Sequence, residues 1–434
     1  MRDGVFPVAA QGVLSMLRRE FIKLLGAGAM VGAFPGVARA GTTARGRVVV
    51  IGGGYAGATA AKYLRLWGGT GLEIILIEKN TTFVSCPLSN LVLGGSKQIG
   101  DLTFTYAGLD HHTIKRLHEE VTAIDSAQRK IVVESGDDLD YDRLIIAPGI
   151  DFMWDTLPML ESAEAQEKVP HAWKSGPQTV NLRRQLAAMP NDGVFVISIP
   201  KAPYRCPPGP YERVSQVAFY LKQAKPKSKI IVLDANPEII SKKGLFTKAW
   251  AELYPSMVDY RPNSAVVEVD VAARSIKTEF ETVKGDVLNV IPPQRAGKPA
   301  QMVGANNVDK RWCEVDFLTY ESKVVPGIHI IGDAVSAALP KSAHMANTQA
   351  KVCAAAIIAQ LSGEQPDPAP VFANTCYSFV SDKLAMHVAN VYRYDVAKKV
   401  MLPAEGGGVS VRPSEQEGNY AQWWAKNIWS DVLS

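Results

Sequence analysis

Gly52, Gly54 and Gly57 stand in the run Gly52-Gly53-Gly54-Tyr55-Ala56-Gly57, a Gly-x-Gly-x-x-Gly spacing suited to the pyrophosphate of a dinucleotide. The first glycine permits a tight turn after a strand. The second leaves no Cβ in the path of the phosphates, and the third lets the next helix lie close to the sheet. Glu78 closes a second apolar run, Ile74-Ile75-Leu76-Ile77, at the distance where a carboxylate takes the ribose hydroxyls. Gly332-Asp333 closes another, Val325 to Ile331, and offers a second carboxylate to a cofactor hydroxyl. Three more side chains carry redox or proton chemistry, each with a plainer alternative. Cys86, in the loop Thr81 to Asn90 near the cofactor's far end, is a thiol for covalent or redox chemistry or an inert packed thiol. Cys206, stiffened by Pro203, Pro207, Pro208 and Pro210, is reactive or merely packed. Glu212, six residues on, is a proton carrier or only a charge at a helix N-terminus. Cys353 reads as core and Cys313 as packing, and no metal site is expected.

The elements that must position these residues follow from pattern. Val48 to Ile51 is a β-branched run with the character of a buried strand, and Tyr55 to Trp67 has helical spacing, so phosphates would meet a helix N-terminus. Residues 117–150 alternate short strands around Asp137-Asp138 and end at Ala147-Pro148-Gly149, a β-meander returning to the nucleotide sheet. After a polar linker, Thr179–Met189 (helix), Val194–Ile197 (strand), Tyr211–Ala224 (helix) and Ile230–Leu233 (strand) repeat the Rossmann period, closing on Asp234. The phosphate loop is missing from this second unit. Ser198 to Cys206 holds prolines and bulky side chains in place of glycines, which removes backbone donors and excludes a pyrophosphate. A helix over Ala343–Leu361, a linker over 362–370 and a third, smaller module complete the chain. Trp423, Trp424 and Trp429 near its end either pack on the main body or meet a partner.

With 434 residues the chain is long for one core, and two or three domains are expected. Residues 1–40 carry Arg2, Arg18, Arg19, Lys23 and Arg39 against Asp3 and Glu20, which accounts for most of the net charge of +4. So neutral a body gives no reason to expect nucleic acid. Leu17-Arg18-Arg19-Glu20-Phe21-Ile22-Lys23, the apolar stretch Leu24–Val37 and Ala38-Arg39-Ala40 form a signal-peptide pattern of the twin-arginine kind. A periplasmic protein beginning near Gly41 is expected, with Met16 an alternative start. No integral membrane segment is expected in the mature chain. The chain has no Cys-x-x-Cys-His and so attaches no c-type haem itself.

Gly52, Gly54, Gly57, Glu78, Ala147-Pro148-Gly149 and Gly332-Asp333 together resemble the glutathione-reductase-like flavoproteins with two dinucleotide-binding domains. Ser85-Cys86-Pro87-Leu88-Ser89-Asn90, Tyr204-Arg205-Cys206-Pro207-Pro208 and Asn374-Thr375-Cys376-Tyr377-Ser378, with the leader, narrow the resemblance to the flavoprotein subunits of flavocytochrome c sulfide dehydrogenases. The sulfide:quinone oxidoreductases are related. The resemblance implies an α/β fold of two Rossmann-like domains plus a small C-terminal α+β domain. Its expected division is a leader over 1–40, an FAD-binding domain from 45–158 and 296–370, a second Rossmann-like domain over 159–295, and an interface domain over 371–434. It implies FAD, joined covalently through an 8α-methyl thioether to Cys86. It implies a redox-active disulfide between Cys206 and Cys376, Glu212 as the nearby acid, and a separate c-type cytochrome subunit. Sulfide would be oxidised to elemental sulfur or polysulfide. Cys313 and Cys353 match no functional position in the family's pattern.

Other readings differ by feature. A quinone reductase of this fold should end in a basic amphipathic segment, yet residues 420–434 hold only Lys426 and Asp431 as charges. A flavin-bearing assembly subunit without turnover has no use for the three cysteines. A nicotinamide-dependent disulfide reductase lacks its Cys-x4-Cys pair here.

Overall fold

The computed structural model describes residues 44–434, so the expected leader over 1–40 lies outside the described residues. Strands β1 (Gly46–Ile51), β2 (Leu72–Ile77), β3 (Lys115–Leu117) and β4 (Arg143–Ile146) form a parallel sheet. A fifth strand, Ile328–Ile330, enters from far along the chain and pairs with β4. The order is Ile328–Ile330, β4, β1, β2, β3. Val48, Val49, Val50, Ile74, Ile75, Leu144 and Ile145 are buried, as unbroken apolar runs in a sheet covered on both faces should be. Each such side chain contributes on the order of 2 kcal/mol by leaving water. Helix α1 (Tyr55–Gly68) covers one face. The expected meander is an antiparallel sheet over 121–125, 130–133 and 138–140 that leads into β4.

A second parallel sheet is built from β5 (Val194–Ile199), β6 (Lys229–Asp234), β7 (Val258–Arg261) and β8 (Val287–Val290), in the order β7, β6, β5, β8. The short helix α2 (Asn90–Gly94) and the helix α3 (Gly209–Ala224) pack together beside it, and α4 (Lys243–Leu253) follows β6. Helix α5 (Ala343–Leu361) lies against α1. The chain ends in an antiparallel sheet led by β9 (Val371–Phe379) and β10 (Ala385–Asp395), and in helix α6 (Glu415–Leu433). The fold is thus mixed α/β with two parallel sheets and a smaller α+β portion, as the sequence implied. No helix among the described residues is long and apolar enough to cross a membrane.

The three tryptophans divide. Trp429 donates its indole N–H to Tyr55 Oη (3.1 Å) and Ser85 Oγ (3.0 Å) and lies against Phe104. Trp424 meets His344 and Tyr377, while Trp423 stays 58% exposed beside Tyr420.

Candidate functional site

The glycine turn has the geometry its spacing predicts. Gly52 has φ +98°, and a Cβ there would stand 2.3 Å from the Ala147 carbonyl oxygen. A Cβ on Gly57 would stand 1.7 Å from the Gly52 carbonyl oxygen, so α1 can approach β1 only without one. A Cβ on Gly54 would meet nothing within 4 Å, which leaves the helix N-terminus open. Glu78 follows β2, and its Oε2 accepts the Gly53 N–H at 2.6 Å while Oε1 accepts from Asn80. The acid braces the turn as well as facing it. Gly332, at φ +79°, lies against Ala56 at the start of α1.

Asp333 departs in part from expectation. Its Oδ2 is taken by Arg205 Nε at 2.7 Å in a largely buried ion pair, and only Oδ1 is buried without a partner. An open phosphate cradle, a braced acid and an orphaned carboxylate oxygen are the features a dinucleotide cofactor satisfies. The residues fit the group.

Arg205 also reaches back to Cys86, its Nη1 lying 3.8 Å from Sγ. The Thr81–Asn90 loop is pinned there by Ser85, which bonds Tyr55, Pro87 and Trp429. Cys206 lies one residue past Arg205 with φ +58°, a left-handed conformation that costs on the order of 1 kcal/mol. Its N–H donates to the Lys341 carbonyl (2.7 Å) and its carbonyl accepts from Gly209 (2.8 Å). Gly209 is needed as glycine, since a Cβ would stand 2.9 Å from Cys206 Sγ.

Cys376, on β9, is the third thiol of the same neighbourhood. Burial pushes the Cys206 thiol well up, and the charges of Cys376, Glu212 and Cys86 push the same way, against Lys242. Burial also raises the Cys376 thiol, opposed first by Lys242 and then by Asn374 and Ser342. Residues far apart in the chain are therefore brought within range of one another's charge. All five cysteines, Cys86, Cys206, Cys313, Cys353 and Cys376, are free thiols in this structure, and the disulfide implied between Cys206 and Cys376 is not formed in it. Cys313 and Cys353 are buried, and burial pushes the Cys313 thiol up to about 12.

Glu212, on the first turn of α3, is not an exposed helix charge. It is buried, with Oε2 accepting from Asn90 Nδ2 (2.9 Å) and Oε1 from the Phe379 N–H (2.9 Å). Burial raises its carboxyl above the usual range despite those two bonds and the charges of Lys242 and Arg213. Sequence reasoning missed its surroundings. Among the described residues Arg213 is buried without a carboxylate in ion-pair contact, bonding Asn90, Asn289 and the carbonyls of His171 and Ala172, and burial lowers it to about 9. Lys242, also unremarked, is buried and donates to the Cys376 carbonyl and to Ser378 Oγ. The only advance hint was Asn90, inside the quoted Ser85–Asn90 motif.

In the second sheet, Asp234 sits where a ribose acid would be expected. Its Oδ2 accepts from Tyr211 (2.8 Å) and Tyr260 (2.9 Å), and its Oδ1 from Asn236. The chain uses that carboxylate itself.

Two parallel dinucleotide sheets, a glycine cradle and clustered thiols define a flavoprotein of the pyridine nucleotide-disulphide oxidoreductase fold. A family model of that description matches residues 46–186. The model for the sulfide dehydrogenase [flavocytochrome c] flavoprotein chain, central, matches residues 179–292, and that for flavocytochrome c sulphide dehydrogenase, flavin-binding, matches 368–433. A sulfide dehydrogenase [flavocytochrome c] flavoprotein chain of Chlorobaculum thiosulfatiphilum is 52% identical over 46 residues, 11% of this chain and 94% of that one. The chain belongs to the flavocytochrome c sulfide dehydrogenase flavoprotein family, and its cofactor is FAD. It is similar to the mitochondrial sulfide:quinone oxidoreductase of Mus musculus, 23% identical over 68% of this chain and 67% of that one. The sulfide:quinone oxidoreductase of Aquifex aeolicus shares the fold with a TM-score of 0.71 at 19% identity, over 89% of this chain and 91% of that one.

Proposed function

We propose that this chain is the flavin-bearing subunit of an exported sulfide dehydrogenase, working through a cystine between Cys206 and Cys376. The reading is carried by one observation: Cys206 caps the start of the helix that holds Glu212, Cys376 lies on the strand that bonds both Glu212 and Lys242, and Arg205 beside Cys206 reaches Cys86 and Asp333. Hydrosulfide is a soft nucleophile, and a disulfide sulfur is the electrophile it attacks readily. Attack breaks the Cys206–Cys376 bond, forms a persulfide on one cysteine and frees the other as thiolate. Glu212, its carboxyl raised by burial, moves the proton that hydrosulfide gives up. Closing the cystine again takes two electrons from the pair and releases zero-valent sulfur or polysulfide. FAD supplies the two-electron acceptor that this closure requires.

The residues that would hold FAD are Gly52, Gly54 and Gly57 at the phosphates, with Glu78 and Asp333 at hydroxyls, and Cys86 as a thioether tether. Arg205 orders that end, spanning Asp333 and the Cys86 sulfur. With Asp234 consumed internally, electrons leave to another protein, and the reading assigns them to a c-type cytochrome subunit. A periplasmic address agrees with the need for a lasting disulfide, and the twin-arginine pattern over 17–23 supports it.

The test is anaerobic addition of sulfide to the purified flavoprotein. The visible flavin band should bleach in the wild type and bleach about 100-fold more slowly or not at all in Cys206→Ser and Cys376→Ser. Flavin should stay on the peptide of the denatured wild type and come free in Cys86→Ala. Bleaching at the wild-type rate in both serine variants would remove the cystine from the mechanism.

A further inference from the structure

We propose that Lys242 is the positioning residue of the thiol pair: its ammonium anchors the strand that carries Cys376 and stabilises the thiolate that sulfide attack sets free. The inference rests on the cystine reading above and deepens it.

Lys242 lies immediately before α4 with φ +54°, which turns its side chain inward to 7% exposure. Its ammonium donates to the Cys376 carbonyl at 3.0 Å and to Ser378 Oγ at 2.9 Å. No carboxylate lies within ion-pair distance of it among the described residues. Two neutral acceptors do not require a cation, and an ammonium buried without a carboxylate in direct ion-pair contact is costly. Its position makes sense if negative charge arises beside it during the reaction.

The groups facing it are Cys206 from the proline-rich loop, Glu212 from α3, Cys376 from β9 and Glu417 from α6. Of the charges acting on the two thiols, Lys242 is the foremost that favours the thiolate at each. Arg205 and Arg213 lie close enough to interact with Cys206, and each has its own bonding set. Glu212 competes for the same cation while it is ionised, and its uptake of the hydrosulfide proton removes that competition, so the field then falls on sulfur.

The step it serves is balanced without net oxidation. The sulfur–sulfur bond between Cys206 and Cys376 breaks as a new one forms to the incoming hydrosulfide. The bonding pair leaves with the displaced cysteine sulfur as thiolate, and the hydrosulfide proton passes to Glu212. Lys242 keeps its proton throughout and offsets the new anion.

The experiment uses the reduced flavoprotein under anaerobic conditions. Iodoacetamide alkylation of Cys206 and Cys376 is followed against pH by mass mapping, with the bound-flavin spectrum as the check of folding. Lys242→Gln keeps amide donors for Cys376 and Ser378 but removes the charge, and Lys242→Arg keeps the charge. The more acidic of the two thiols should titrate about one unit higher in Lys242→Gln, a tenfold loss of reactive thiolate near neutrality, with Lys242→Arg close to wild type. An unshifted profile in Lys242→Gln, or an equal shift in both variants, would overturn the proposal. If the wild-type pair itself cannot be oxidised to a cystine, the underlying reading fails instead, and the two failures are distinct.

Discussion

Glu212 fastens two distant segments, taking one hydrogen bond from Asn90, 122 positions away, and one from Phe379, 167 positions away. Each carboxylate oxygen faces a donor, so Glu212→Gln must turn an amide N–H₂ toward one of them. The expected cost is on the order of 1 to 3 kcal/mol of stability at neutral pH, read from a denaturant midpoint. The activity of this variant should lose the limb that rises with pH, because a base of raised pKa works only once it has lost its proton. The stability sign is opposite. With the folded-state pKa of Glu212 above the unfolded one, its contribution is present in full below the unfolded pKa and is lost as pH rises through the folded value. A variant whose activity limb is unchanged would show that Glu212 only holds α2, α3 and β9 together. At this scale the sequence was partly legible. Cysteine and glutamate types and the local motifs mark the reactive groups, but Lys242, Arg205 and Arg213 look like surface cations in one dimension. Their burial comes from packing between segments far apart in the chain, which no local pattern reports.

The joint between β1, the glycine turn and α1 is the most legible element, because its spacing is set by steric limits rather than by tertiary choice. Gly57 and Gly54 make opposite demands of it. Gly57→Ala drives a Cβ to 1.7 Å from the Gly52 carbonyl and should cost about 3 kcal/mol or more, measured by urea unfolding. Gly54→Ala meets no atom of the chain, so stability should stay within about 1 kcal/mol of wild type while incorporation of FAD falls. Equal loss of stability in the two variants would deny Gly54 its place at the phosphates. The proline-rich loop before α3 stood out in the sequence by its prolines and Cys206, yet Gly209 carried no visible signal. Its role depends on Cys206 Sγ and Trp173 standing 2.9 Å from where its Cβ would be.

For the molecule as a whole, the first parallel sheet supplies the cofactor cradle, the second gives up its own acid to Tyr211, Tyr260 and Asn236, and the C-terminal sheet brings the strand of Cys376 to Lys242 and Glu212. Three parts of the chain thus contribute to one neighbourhood, and the domain of the second sheet serves it. That domain carries Cys206, Glu212 and Lys242. The C-terminal tryptophans were ambiguous in the sequence because an indole is equally suited to a core and to an interface. Trp429 and Trp424 turned inward, and Trp423 remains at the surface of α6. The most direct measurement of the central claim is a non-reducing peptide map of the air-purified protein, before and after anaerobic sulfide. The account predicts one cross-linked peptide pair joining Cys206 to Cys376, converted by sulfide into a persulfide on one partner. Two unlinked thiols in the oxidised protein, unchanged by sulfide, would contradict it.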